Sequence, residues 1–183
     1  LDKTVIVNAP ASAAAALQMY APPAGLTLVI VKRELLDRAR SDIPALLAWK
    51  GFADEDSMLN TPPTFSWYLA GLVFEWIEQE GGVAVMAERN ARKAKTLYAA
   101  IDASDFYTAP VDPAYRSWMN VPFTLPDPSL DKPFLAGAEA AGIMNLKGHR
   151  SVGGMRASLY NAVGQDAVDA LVAYMADFEA SHG

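Results

Sequence analysis

Cationic side chains and glycines are concentrated in one short segment of this chain. Within ten residues, four potential anion ligands alternate with three glycines: Lys147, His149, Arg150 and Arg156 with Gly148, Gly153 and Gly154. The chain as a whole is acidic, with a formal net charge of −6 at pH 7. Such a concentration of donors in an acidic chain indicates a site for an anion with two or three charges, such as a phosphate ester that also carries a carboxylate.

The residue types in this segment suit such an anion. Arginine binds carboxylate and phosphate through two parallel hydrogen bonds, and glycine lets backbone N–H groups approach the ligand. His149 adds a charge or a neutral donor, depending on pH. The alternative is that Arg150 and Arg156 pair with acidic residues on the surface of this chain. Both interpretations stay open, and the number of donors favours the anion site.

A second candidate site lies at residues 56–64. Asn60, Thr61 and Thr64 place an amide and two hydroxyls directly before a predicted helix. Helix N-termini attract anions because unpaired N–H groups and the helix dipole point there. Capping of the helix by Thr61 or Thr64 explains the same residues, and their spacing alone favours capping.

Several kinds of catalytic site are excluded by what the sequence lacks. The chain contains no cysteine, which excludes disulfides, thiolate metal sites and a thiol nucleophile, and which is compatible with a reducing cytoplasm. It has no G-x-S-x-G elbow, no P-loop and no H-E-x-x-H motif, so hydrolase, kinase and metal chemistry have no support. The histidines, His149 and His182, are too distant in sequence to indicate a triad, and we expect His182 in a frayed tail.

Length and composition indicate a globular protein of one or two domains. Its 183 residues are 52% hydrophobic, with a mean hydropathy of +0.10. No apolar run reaches the roughly 18 to 20 residues that cross a bilayer, and residues 1–16 lack signal-peptide features, so we expect a soluble protein. Nucleic acid is not an expected partner, because no extended basic face is present. One cluster of cations is interpreted as a solvated helix face: Arg89, Arg92, Lys93 and Lys95.

Two long helices are expected in the middle of the chain. Apolar residues recur at helical spacing over residues 62–80, with Thr61 before them and Gly81-Gly82 after them. A second amphipathic pattern covers residues 83–103. We interpret the apolar faces of both helices as core or subunit interface. The face of the second helix contains five apolar residues: Met86, Ala94, Leu97, Tyr98 and Ile101.

Short strands are expected near the start of the chain. Residues 4–7 and 26–32 are β-branched apolar runs that are typical of buried strands. Between them, the alanine- and proline-rich residues 9–23 show no periodicity that fixes a conformation.

The last part of the chain alternates between strands and helices. Strands are predicted at residues 118–124 and 155–160, and helices at residues 130–141 and 166–180. Gly142 is a plausible end for the first of these helices. The predicted fold class is therefore α/β.

A series of short motifs from about Pro23 to the C-terminus carries a resemblance to a known family. The longest runs from Gly148 to Ser158 and includes the cationic segment described above. The others are Asn60-Thr61-Pro62-Pro63-Thr64, Gly81-Gly82, Arg89-Asn90, Ile101-Asp102, Ser104-Asp105-Phe106-Tyr107, Arg116-Ser117 and Met119-Asn120-Val121. Together they resemble the phosphoserine aminotransferases.

This resemblance implies a fold-type I pyridoxal-phosphate enzyme, present as a cytoplasmic homodimer with active sites at the subunit boundary. Such an enzyme exchanges an amino group between glutamate and 3-phosphohydroxypyruvate in serine biosynthesis, giving phosphoserine. Residues 1–104 would be the C-terminal part of the large cofactor-binding domain, with two long helices. Residues 105–183 would form the small C-terminal α/β domain, so the expected boundary lies near Ser104.

The resemblance also implies roles for individual residues. Gln18, Asn60 and Thr61 fall at cofactor-binding positions, and the Asn-Thr pair would bind the cofactor phosphate of the partner subunit. His149 and Arg150 would face the distal anionic group of the substrate. Arg156 would hold the α-carboxylate. These roles agree with the anion chemistry that the residue types indicate.

Two departures from the family pattern bear on catalysis. The family's chain is about twice as long, and its first half supplies the glycine-rich phosphate cradle, the ring-stacking aromatic and the aspartate of the pyridinium nitrogen. In addition, the family has Gln-Lys-Asn where this chain has Gln18-Met19-Tyr20. Methionine has no amine for the Schiff base, so we expect no catalytic residue here and no activity of the isolated chain.

Three interpretations follow from the sequence. The first is the C-terminal half of a phosphoserine aminotransferase, inactive by itself. The second is a non-catalytic dimeric or anion-binding module that retains the substrate contacts. The third is a purely structural or engineered scaffold derived from the small domain. We favour the first.

Overall fold

The computed structural model describes residues 5–7, 26–29 and 31–183. The chain divides into two compact units, Leu1–Glu80 and Gly81–Gly183. The boundary predicted near Ser104 lies inside the second unit, and the assignment of residues 1–104 to a large cofactor-binding domain stays a prediction. The predictions for residues 9–23, including those for Gln18 and Met19, lie outside the described residues.

A pair of short strands belongs to the first unit. β1 (Val5–Val7) pairs antiparallel with β2 (Thr27–Val29), with Val5 opposite Val29. Both predicted strands are therefore present. β2 is shorter than the predicted run of residues 26–32, and a 3₁₀ turn follows from Arg33.

The first unit also contains a short helix that the sequence pattern did not predict. α1 (Trp49–Asp54) has six residues, too few for an amphipathic period to be recognised. Its Phe52 is buried, as is Leu36 in the preceding 3₁₀ turn.

The helix predicted over residues 62–80 is confirmed as α2 (Thr64–Gln79). The predicted capping by Thr61 or Thr64 is wrong. Pro63 occupies the N-cap position without a side-chain cap, and Thr64 is already the first helical residue. Thr61 therefore lies too far from the N–H groups of the first turn that a capping hydroxyl must reach.

The second unit begins with the second long helix, α3 (Gly82–Asp102). Gly81 has a φ of +102°, a left-handed conformation that separates α3 from α2, as the Gly-Gly stop signal predicts. The apolar face predicted for this helix is confirmed, since all five of its residues are buried: Met86, Ala94, Leu97, Tyr98 and Ile101.

A two-stranded sheet packs beside this helix. β3 (Asn120–Phe123) pairs antiparallel with β4 (Met155–Ser158), with Pro122 opposite Arg156. Within each strand, buried residues alternate with half-buried ones, so one face of the sheet joins the core. Both predicted strands are confirmed, with bounds a residue or two shorter.

Two further helices complete the second unit and confirm the predictions. α4 (Asp131–Ala140) is followed by Gly142 with a φ of +82°, and α5 (Gln165–His182) ends the chain. Phe134 of α4 is fully buried at the centre of the core. Its ring contacts four other aromatic rings in edge or T-shaped geometry: Tyr107, Phe123, Tyr174 and Phe178.

The prediction that His182 lies in a frayed tail is wrong. Its ring stacks on Phe178 with centroids 4.1 Å apart, and its Nδ1 lies 3.0 Å from the Phe178 carbonyl oxygen. These two contacts order the last turn of α5. The mixed helix and strand content confirms the predicted α/β class. No helix in the described part of the chain is long and apolar enough to span a membrane.

Candidate anion site

The segment before β4 folds back on that strand as a hairpin. Lys147 and Met155 form an antiparallel bridge, and the Gly148 N–H donates to the Gly154 carbonyl at 2.8 Å. One residue further out, the His149 carbonyl accepts hydrogen bonds from the N–H groups of Val152 and Gly153, both at 2.9 Å. The cationic segment is therefore an ordered loop that leads directly into β4.

This loop needs glycine at defined positions. A Cβ on Gly148 would collide with the carbonyl oxygen of Gly153, because the two arms of the hairpin approach so closely there. Gly154 has a φ of +59°, and a Cβ on it would lie 2.8 Å from the Phe123 carbonyl oxygen of the neighbouring strand. The glycines thus serve the tight hairpin itself, in addition to any role in ligand binding.

His149 is exposed, and the loop orients its ring. Its Nδ1 accepts the Ser151 N–H at 3.3 Å and lies 2.7 Å from the Ser151 hydroxyl. When Nδ1 accepts this N–H, the neutral ring carries its proton on Nε2. The loop therefore presents an N–H donor on the side of the ring away from its own backbone.

The cationic side chains of the hairpin form no ion pair with acidic residues in the described part of the chain. The ion pairs found there include those of Arg40, Lys50 and Arg116 with aspartates. Arg150 and Arg156 take part in none of them. The alternative that these arginines pair with surface acids of this chain therefore lacks support.

Arg156 is the second residue of β4. Its side chain is half-buried, and its Nε is buried without a hydrogen-bond partner among the described residues. The residue borders a cavity of about 620 Å³ whose other polar residues are Asn145, Ser158 and Tyr160. A buried N–H group without an acceptor costs about 1–3 kcal/mol of stability. An anion that accepts a hydrogen bond from the Nε–H of Arg156 would remove this cost.

Asn60 and Thr61 belong to the first unit. Both are exposed, and the Asn60 amide donates to the Thr61 carbonyl at 3.3 Å. They precede α2, whose N-cap residue Pro63 offers no side-chain cap. An exposed amide and hydroxyl beside an uncapped helix N-terminus are donors of the kind that bind a phosphate. Of the predicted site residues, the hairpin thus joins His149, Arg150 and Arg156, whereas Asn60 and Thr61 form a separate group.

The solvated face predicted for the cations of α3 is wrong for Lys93. Arg92 and Lys95 are exposed, but Lys93 is only 3% exposed. Its ammonium donates to three backbone carbonyls, those of Leu159, Tyr160 and Val163, at 3.2, 2.8 and 2.9 Å. The signal that could have found it is its spacing: Lys93 shares the helix face of Met86, Asn90 and Leu97.

Comparison with known proteins identifies the family to which this chain belongs. The family model for aminotransferase class V matches residues 12–171. The phosphoserine aminotransferases of Pseudomonas aeruginosa and Azotobacter vinelandii are each 65% identical over 161 residues, which is 88% of this chain. The match covers 45% of each of these relatives, so the chain spans about half of their length.

Solved structures of phosphoserine aminotransferases superpose on this chain. The phosphoserine aminotransferase from Bacillus circulans subsp. alkalophilus superposes with a TM-score of 0.84 at 41% identity, covering 90% of this chain and 46% of that one. A pyridoxal-phosphate-bound phosphoserine aminotransferase from Trichomonas vaginalis superposes with a TM-score of 0.78 at 40% identity, covering 85% and 45%. This chain belongs to the class-V aminotransferase family and has the fold of the phosphoserine aminotransferases.

Proposed function

We propose that this chain is the C-terminal half of a phosphoserine aminotransferase and supplies the substrate side of its active site. The parent enzyme would transfer an amino group from glutamate to 3-phosphohydroxypyruvate, giving 2-oxoglutarate and O-phosphoserine in serine biosynthesis. The observation that carries the proposal is the buried, unpartnered Nε of Arg156, on the same hairpin as His149 and Arg150. The names of the relatives support the same assignment.

The hairpin suits a substrate with an anion at each end. Arg156 would bind the carboxylate, because its guanidinium offers a planar pair of donors and one of its N–H groups lacks an acceptor. His149 and Arg150 are exposed at the tip of the loop and would bind the distal phosphate. In this arrangement the protein holds the substrate at two points and so fixes the direction of the Cα–H bond relative to the rest of the site.

Pyridoxal phosphate is the cofactor that this family implies. When bound, it supplies the electron sink that makes the α-proton of an amino acid acidic. The exposed amide and hydroxyl of Asn60 and Thr61 fit its phosphate group, and we propose that they contact the cofactor held by the partner subunit of a cytoplasmic homodimer. Gln18 would be a further cofactor contact. Covalent attachment does not fit this chain, because Met19 has no amine.

Titration of the chain with O-phosphoserine, followed by NMR, tests the proposed substrate contacts. Each well-aligned charge-assisted contact contributes about 1.5–3 kcal/mol, but half a pocket aligns them poorly, so we expect a dissociation constant on the order of 1 mM. Arg156→Ala and Arg150→Ala should each weaken binding about tenfold or more. Arg92→Ala is the matched control, since Arg92 is exposed on α3. Equal affinity in all four proteins would refute the assignment of this hairpin as the substrate site.

A further inference from the structure

Lys93 is a buried cation whose acceptors are all backbone carbonyls. Its Nζ donates to Leu159, Tyr160 and Val163. Three carbonyls use the three donors of the ammonium group, so its hydrogen bonding is complete without a carboxylate. Burial lowers the pKa of Lys93, and the carbonyl dipoles act in the opposite direction because they stabilise the charged form.

Residues on either side of Lys93 hold the same segment of chain. Asn90, three residues before it on α3, donates from its amide to Oδ1 of Asn161 at 2.7 Å. Thr96, three residues after it, accepts from the amide of Gln165 at 3.2 Å. Residues three apart lie on one side of a helix, so the three side chains form a polar row along α3. This row binds residues 159–165 at several successive points.

The segment held by this row continues directly from β4. Ser158 ends the strand, and the Leu159 N–H donates to the Met119 carbonyl at 2.6 Å. The opposite end of the strand is held by the hairpin, where the Arg156 N–H donates to the Leu146 carbonyl at 2.7 Å. A four-residue strand in a two-stranded sheet has few hydrogen bonds of its own to fix its position. Its C-terminal end therefore depends on what holds residues 159–163.

We infer that Lys93 is a positioning residue for Arg156: by binding three carbonyls beyond β4, it fixes the strand from which the guanidinium projects. The inference rests on the proposed function to the extent that Arg156 binds a substrate carboxylate. The loop that carries His149 and Arg150 lies at the other end of β4. Arg156 lies on β4 between this loop and residues 159–163, so we expect loss of Lys93 to affect the carboxylate contact and to leave the phosphate contact of the loop in place.

The test uses the whole chain and the variant Lys93→Met, which keeps the length of the side chain but removes its donors. The matched control is Lys95→Met, because Lys95 is an exposed lysine two residues further along the same helix. We expect Lys93→Met to weaken O-phosphoserine binding about tenfold, while inorganic phosphate, which has no carboxylate, binds as in the wild type. Lys95→Met should bind both ligands as the wild type does. Lys93→Arg, which keeps several donors, should restore part of the lost affinity.

A second readout works without any ligand. The Nε–H resonance of Arg156, recorded by NMR, should shift in Lys93→Met and stay unchanged in Lys95→Met. If Lys93→Met does not fold, Lys93→Gln takes its place, since its shorter amide can still donate to one of the carbonyls. An unshifted Arg156 resonance in the folded variant overturns the inference, whatever the chain binds. If wild type binds no O-phosphoserine but the resonance shifts, the proposed function fails and the positioning role stands.

Discussion

Arg116 and Asp102 form a two-point ion pair that joins the end of α3 to the loop before β3. The Nη1 and Nη2 groups donate to the two carboxylate oxygens at 2.6 and 2.7 Å. The guanidinium also lies 4.5 Å from the centroid of the Tyr98 ring, whose hydroxyl donates to the Ser117 carbonyl at 3.2 Å. Arg116 in this loop is therefore held by an ion pair, and the next residue, Ser117, by a neutral hydrogen bond.

This ion pair predicts a pH dependence of stability. The hydrogen bonds from Arg116 hold the pKa of Asp102 below its ordinary value. A carboxyl group with a depressed pKa stabilises the fold above its unfolded pKa of about 3.9, and this contribution is lost as the pH falls through the folded pKa. Because the Asp102 side chain is 50% exposed, we expect the effect to be small.

Urea unfolding of wild type and Asp102→Asn between pH 6 and pH 2.5 measures this contribution. The difference in the free energy of unfolding between the two proteins should shrink as the pH falls below 3.9, because the wild-type carboxylate becomes protonated. Asp105→Asn serves as the control, since Asp105 is exposed in the same region. A difference that stays constant down to pH 2.5 would show that the ion pair does not stabilise the fold.

Two glycines of this chain should respond in opposite directions to the same substitution. In Gly148→Ala the new Cβ would collide with the Gly153 carbonyl, so the hairpin must open. We expect a loss of about 1–3 kcal/mol in the free energy of unfolding, together with weaker binding of inorganic phosphate. At Gly71 in α2 the added Cβ meets no atom within 4 Å beyond its chain neighbours and the backbone of its own helix, and Gly71→Ala should stabilise the protein by roughly 0.5–1 kcal/mol.

Urea unfolding of both glycine variants measures the two changes in the free energy of unfolding, and a phosphate titration of each variant measures the change in binding. Equal effects of the two substitutions would mean that the close approach at Gly148 is not retained in solution.

Periodicity was sufficient to predict the long helices, because their apolar residues repeat over many turns. The buried face of α3, from Met86 to Ile101, is an example. Short elements such as α1 gave no comparable signal, since six residues span less than two turns. The position of Lys93 was missed for a different reason. Its neighbours Arg92 and Lys95 are exposed, and a local cluster of cations does not reveal that backbone carbonyls distant in sequence satisfy one of them.

The anion site itself stays a prediction, and the sequence indicates the residue types that would form it. Residue types alone indicated anion binding by the hairpin, because arginine and glycine have distinct physical roles there. The buried Nε of Arg156 depends on packing around β4, which no local pattern encodes. The capping role of Thr61 was predicted wrongly because the helix begins after two prolines rather than at the first of them.

The exposed apolar residues of α2 predict self-association. Phe65, Tyr68 and Leu72 are 71%, 64% and 43% exposed, and their spacing of three and four residues places them along one side of the helix. Apolar residues grouped on a surface in this way tend to be covered by a partner. We therefore expect the chain to sediment as a dimer at micromolar concentration, in agreement with the homodimer proposed above.

Sedimentation velocity of the double variant Phe65→Glu/Leu72→Glu tests this expectation, with Gln79→Glu as a control that adds charge elsewhere on α2. The double variant should sediment as a monomer, and the control as the wild type does. A wild-type chain that remains monomeric at micromolar concentration would contradict the prediction.

The isolated chain should neither bind pyridoxal phosphate covalently nor transfer amino groups. Met19 has no amine, and the complete pocket of the family draws on the half of the enzyme that this chain does not span. With glutamate, 3-phosphohydroxypyruvate and the cofactor, we expect no formation of 2-oxoglutarate above the rate without protein. The complete phosphoserine aminotransferase of Pseudomonas aeruginosa serves as the positive control. Borohydride reduction followed by mass spectrometry should find no lysine labelled in stoichiometric amounts. Turnover that disappears on replacing one particular lysine would show that another lysine of this chain supplies the amine that Met19 lacks.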